Sequence, residues 1–152
     1  MPNHCENDLV ISNEMDYKDE ESFKKFLEYA AGENGALDFN KFIPQGQKEI
    51  DSMGESGILP AWYTFNVENW GTKWNAYEIV VGDIDWGSVE INFQTAWSPP
   101  IPVVKKMGEM FPHLVFDLTY FEKGGAFNGW FQMTEGEVTE NREGAYLGKR
   151  GG

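Results

Sequence analysis

The chain has 152 residues, 12 of them basic and 25 acidic, for a formal charge of −13. That balance excludes a protein that tracks nucleic-acid phosphates, which needs clustered Lys and Arg. The single cysteine, Cys5, excludes an intramolecular disulfide framework and a multi-cysteine zinc site.

The composition, 41% hydrophobic and 15% aromatic with six Trp, is that of one globular domain with a sizeable core. No apolar run reaches the roughly 18 residues of a membrane span. The start Met1-Pro2-Asn3-His4 lacks the basic and apolar regions of a leader, so the expected location is the cytoplasm. The acidity is uneven: residues 1–57 hold 13 acids against 5 bases, and residues 98–152 hold 7 against 6.

The alternation of Leu9 and Ile11 with Asp8, Val10 and Ser12 predicts a strand over Asn7–Asn13. A helix follows. Asp19 is its expected N-cap, Glu20 and Glu21 suit the positive end of its dipole, and Phe23, Phe26, Leu27 and Ala30 form one stripe. Ala36–Ile43 reads as a second strand, stopped by Pro44. Residues 45–58 read as a loop. Ala61–Trp70 reads as a short helix without one clean stripe, ended by Gly71.

Tyr77–Val81 and Ser88–Ala96 are the next predicted strands, the latter alternating Val89, Ile91, Phe93 and Thr95 with Glu90, Asn92 and Gln94. Ser98 reads as the N-cap of a helix whose stripe is Val103, Val104, Met107, Met110 and Phe111. Leu114–Tyr120 alternates as a strand, Lys123-Gly124-Gly125 turns it, and Ala126–Thr134 returns. Residues 135–152 are expected to be an extra edge strand or a flexible tail.

This order predicts an α+β chain with a ferredoxin-like, split βαβ arrangement: an antiparallel sheet, two helices on one face, and an aromatic helical insertion at about 45–75 within a single domain of residues 1–134.

Four segments carry a resemblance. They are Pro2-Asn3-His4-Cys5-Glu6-Asn7-Asp8-Leu9, Asn69-Trp70-Gly71-Thr72-Lys73-Trp74-Asn75-Ala76, Thr95-Ala96-Trp97-Ser98-Pro99-Pro100, and Tyr120-Phe121-Glu122 followed by Gly124, Phe127 and Gly129. Together they resemble the YubB-type ferredoxin-like domain of phages and conjugative plasmids. The resemblance implies that fold, a mobile-element origin and hence a bacterial host. It implies no particular chemistry.

No catalytic constellation stands out. His4 and Cys5 are neighbours in an extended segment and face opposite ways. His113 sits in a turn after Pro112. Metal-ligand spacings, a nucleophile elbow and a phosphate-binding loop are all absent from the sequence, so neither cofactor nor metal is expected. A hydrolase reading would need Glu90 and Glu122 to share a cleft, whereas strand-face Glu is ordinarily solvated.

Lys73 is the only base between residues 58 and 97 and lies between Trp70 and Trp74. An ammonium among indoles can hold an anion, although Trp rings more often simply pin a segment to the core. The leading expectation is a non-enzymatic acidic binding protein, a counter-defence inhibitor that blocks a host defence protein with a basic surface. Asp16, Asp19, Glu20 and Glu21 would steer that partner, and Trp62 and Tyr63 would anchor it. No direct nucleic acid and no membrane enter this reading. The alternative is a nucleotide-like ligand held by Trp70, Lys73, Trp74, Trp97 and Glu122.

Overall fold

A computed structural model of the chain describes residues 3–13, 19–50 and 60–145. Its centre is β1 (His4–Ser12), whose odd-numbered residues Cys5, Leu9 and Ile11 are fully buried. Asp19 begins α1 (Glu20–Ala30): its Oδ1 accepts the Ser22 N–H at 3.2 Å, as an N-cap does. The stripe read from the sequence faces the core, with Phe23, Phe26 and Ala30 fully buried. Phe26 sits edge-on to both Phe111 and Phe116, at 5.2 Å between centroids.

The expected strand at Ala36–Ile43 is absent. Leu37 and Phe39 are buried, so the alternation marks the core correctly, but the backbone turns into a 3-10 helix at Phe39–Lys41. Side chains supply the bonds that a neighbouring strand would have made. Asp38 Oδ1 accepts from the Asn40 N–H at 3.0 Å, and Asn75 Oδ1 accepts from the Phe39 N–H at 2.9 Å. Two short helices follow, α2 (Gln47–Ile50) and α3 (Ala61–Asn69).

The strand that returns to the sheet is β2 (Tyr77–Val81), followed by β3 (Ser88–Ala96). The aromatic helical insertion therefore lies between α1 and β2 rather than after a second strand. Trp86 and Gly87 turn β2 into β3, with φ of 48° and 75°. This left-handed pair suits a tight hairpin, and glycine enters it without strain.

Next come α4 (Ile101–Met110), β4 (Val115–Glu122), β5 (Phe127–Thr134) and β6 (Glu137–Ala145). Ser98 does not cap α4. Its hydroxyl donates instead to the Gly71 carbonyl at 2.5 Å, and Pro100 occupies the cap position. Gly108 lets α4 lie close on β5, since a Cβ there would stand 2.7 Å from that of Met133.

The strands form one antiparallel sheet in the order β2-β3-β1-β4-β5-β6. The first four are the ferredoxin-like core, in which each βαβ unit is split by an antiparallel strand. β5 and β6 extend the sheet beyond β4. Strand pairing puts Cys5, Leu9 and Ile11 beside Thr95, Ile91 and Val89 on the helix side. His4, Glu6, Asp8 and Val10 therefore point to the opposite face.

Candidate functional site: a ring-held lysine beside an acidic sheet face

The run Trp70–Trp74 is fixed by its inward-facing residues. Trp70 is 1% exposed and donates its indole N–H to the Ile43 carbonyl at 2.8 Å. Thr72 is equally buried and donates to the Ala96 carbonyl at 2.8 Å. Asn66, the one buried residue of α3, donates its amide to the Lys73 carbonyl at 2.8 Å. With 70 and 72 anchored inward, Lys73 and Trp74 come to the surface.

There Lys73 Nζ lies 4.7 Å from the ring centroid of Trp97, 5.0 Å from that of Trp74 and 5.8 Å from that of Tyr63. Among the described residues no carboxylate lies within ion-pair reach of it. Trp97 holds its place with a left-handed backbone, φ 74°, and its N–H donates to the Asn3 carbonyl at 2.8 Å. A non-glycine residue there is strained, and strain of this kind collects at functional sites. The ring series continues from Trp74 to Tyr77 (6.3 Å) and from Tyr77 to His4 (5.5 Å), where His4 Nδ1 and the Tyr77 hydroxyl are 2.6 Å apart.

Tyr77 and His4 lead onto the sheet face opposite the helices. That face carries Glu6, Asp8, Glu90, Asp117 and Glu140. Their partners orient these carboxylates, and most do so without neutralising them. Gln94 donates to Glu6 at 2.6 Å, and Asn92 donates to Asp8 and, at 3.1 Å, to Glu90. Trp130 and Gln132 donate to Asp117 at 3.0 and 2.8 Å. Among the described residues Glu140 meets a cation, Arg142 at 2.9 Å, and the Arg142 guanidinium lies over the Trp130 ring. Val80, Glu90, Thr119 and Arg142 on this face are exposed.

A chain-wide comparison with family models matches residues 69–146 to the ferredoxin-like domain in Api92-like protein. The chain belongs to that family. The crystal structure of the protein api92 from Yersinia pseudotuberculosis is similar in fold, with a TM-score of 0.67 and 10% identity over 98% of this chain and 99% of that one. No curated protein matches. The family match begins at Asn69 and so takes in Lys73, Trp74, Tyr77, Trp97 and β2 through β6.

The residues singled out in the sequence fall into three groups. Tyr63, Lys73, Trp74 and Trp97 come together, and Trp62 lies beside Tyr63 at 5.9 Å. Asp19, Glu20 and Glu21 cap and open α1 near the other end of β1, about 30 Å away at strand rise. Asn13, past the end of β1, donates to Asp19 at 3.4 Å. Asp16 lies outside the described residues.

Trp70 and Glu122 do not reach the Lys73 ring cluster. Trp70 is core. Glu122 is 3% exposed, and its carboxylate accepts the Gly124 and Gly125 N–H groups at 2.6 Å each, tying the β4–β5 turn. Nor does Glu122 pair with Glu90. β1 separates their strands, and the two side chains take opposite faces of the sheet.

Sequence reasoning weighed His4 only as a catalytic candidate, and it missed Tyr77 and the shared face of Glu6, Asp8 and Asp117. The alternation in β1 was the available signal. The pairing of β1 with β4 was not visible. Cys5 points into the core, where burial pushes its thiol up to about 12. A thiol with that pKa stays protonated and makes a poor nucleophile at neutral pH. A polar hollow of about 590 Å³ beside the 3-10 turn is lined by Asn34, Asn40 and Asn75. These three side chains already hold backbone groups: Asn34 donates to Leu37 and Ala76, Asn40 accepts from Gln45, and Asn75 accepts from Phe39 and Ala76. Among the described residues no helix is long and apolar enough to cross a membrane.

Proposed function

We propose that this is a non-enzymatic, acidic binding protein carried by a phage or conjugative plasmid. It acts as a counter-defence inhibitor, blocking a host immune component by protein–protein contact. The mobile-element origin rests on the YubB-type resemblance of the Trp70–Trp74 run and its companion segments.

One observation carries the mode of action. The exposed sheet face holds the carboxylates of Glu6, Glu90 and Asp117 in ordered positions through amide and indole donors. Preordered charges of one sign steer and register a partner of the opposite sign. The partner is therefore a protein with a Lys- and Arg-rich surface. The acids of α1 belong to the helix layer, on the other side of the sheet from this face. The absence of a catalytic role is supported by the core position of Cys5 and by the separation of Glu90 from Glu122.

Affinity capture from a bacterial host lysate tests the proposal. The expected result is a specific protein retained at low salt and released at high salt, because screening weakens exposed charge pairs beyond about 8–10 Å. A partner held equally well at both salts would contradict the charge-based mode.

A further inference from the structure

We propose that the end of the sheet where β1 begins is a binding site for a single nucleotide-class ligand. Lys73 would take the phosphate, and the Trp74 and Trp97 rings would flank the base. This inference stands apart from the sheet-face reading, and either can fail without the other.

Lys73 is the first reason. It is the one base between residues 58 and 97. Its side chain is half-buried among three rings, with no carboxylate in ion-pair reach among the described residues. Among the described residues its ammonium has ring contacts and no hydrogen-bond acceptor. An ammonium in that condition is preorganised for an incoming anion.

The rings are the second reason. Trp74 and Trp97 remain 38% and 39% exposed, so each offers indole surface beside the cation. Base stacking on such rings is tolerant of base identity. The Trp97 backbone, left-handed at φ 74° and held through its N–H by the Asn3 carbonyl, sets the indole beside Lys73.

The third reason is the neighbouring hollow. A cavity of about 330 Å³ opens between the start of β1 and the β4–β5 turn, lined by Asn3, His4, Glu6, Phe121, Glu122 and Lys123. His4 joins it to the ring series through Tyr77. The volume lies within the range of small-molecule sites, and Lys123 brings a second cation to the same end of the sheet.

Charge decides between one nucleotide and a nucleic-acid strand. Beyond this end the face becomes carboxylate-lined, which repels a run of phosphates. A ligand with one phosphate cluster and one base fits beside Lys73 and stops there.

The test is calorimetric titration and Trp fluorescence of the full chain with AMP, GMP and UMP, using adenosine and inorganic phosphate as half-ligand probes. The expected result is saturable binding of at least one nucleotide, with each half-ligand bound roughly tenfold more weakly or worse. Lys73→Ala should weaken the nucleotide by about tenfold or more, the worth of one hydrogen bond to a charged group, and Lys73→Arg should restore part of that loss. Trp97→Ala should reduce the fluorescence response. Lys105→Ala, on exposed α4 surface, should change nothing. Absence of saturable binding by all three nucleotides at millimolar concentration overturns the proposal. So does unchanged affinity in a folded Lys73→Ala protein, with folding read by circular dichroism.

Discussion

Tyr120 lies directly opposite Gly129 in the β4–β5 ladder, and its phenol fills the space that a side chain at 129 would need. The ring is 5% exposed, and burial first, then Glu143 and Cys5, push its hydroxyl up to about 12. A methyl group at Gly129 would strike the phenol and the Arg142 carbonyl together. Gly129→Ala should therefore destabilise the fold by about 1–3 kcal/mol, the usual cost of overpacking. Urea denaturation reads this directly, and an unchanged midpoint would show that Tyr120 can swing clear.

Trp97 offers a separation of ring from backbone. Both Trp97→Gly and Trp97→Ala delete the indole, but only glycine adopts φ 74° freely. The glycine variant should be the more stable of the two by about 1 kcal/mol. Thermal denaturation of the pair checks this. Equal stabilities would mean that the backbone relaxes once the ring is gone.

Glu122 should prove structural. Glu122→Ala leaves the N–H groups of Gly124 and Gly125 without their acceptor, at a cost of about 1–3 kcal/mol. Capture of a partner by the folded variant should match that of the wild type. Loss of capture with full stability would return Glu122 to the binding surface.

Asp19 carries a pH dependence. The Ser22 hydroxyl and N–H hold its carboxyl below the ordinary value of 3.8. A lowered carboxyl pKa favours the folded state above 3.8, and the contribution is lost as pH falls through the folded value. Wild type should lose stability over that acid range more steeply than Asp19→Asn, which keeps an acceptor without titrating. Parallel curves for the two proteins between pH 5 and 2 would contradict it.

The fold was largely legible because it rests on period-two and helical patterns. Val89, Ile91 and Phe93 in β3, and the stripes of α1 and α4, bury as their spacing dictates. Ala36–Ile43 misled because alternation reports burial and not a ladder, and Asp38 and Asn75 supply bonds that no periodicity records. The site was half legible. Lys73, Trp74 and Trp97 stand out as residue types, but Trp70 looks the same in sequence and is core. The acidic face needed the β3-β1-β4 order, which brings together residues some 80 to 110 positions apart, such as Glu6 with Gln94 and Val10 with Asp117.

The most direct test of the sheet-face mode compares two charge reversals in the same lysate capture. Glu6→Lys with Glu90→Lys inverts charge on the open face, whereas Glu20→Lys with Glu21→Lys inverts as much at the start of α1, in the helix layer on the other side of the sheet. The account predicts loss of the partner for the first protein and retention for the second. Retention by the first, or loss only with the second, would contradict it.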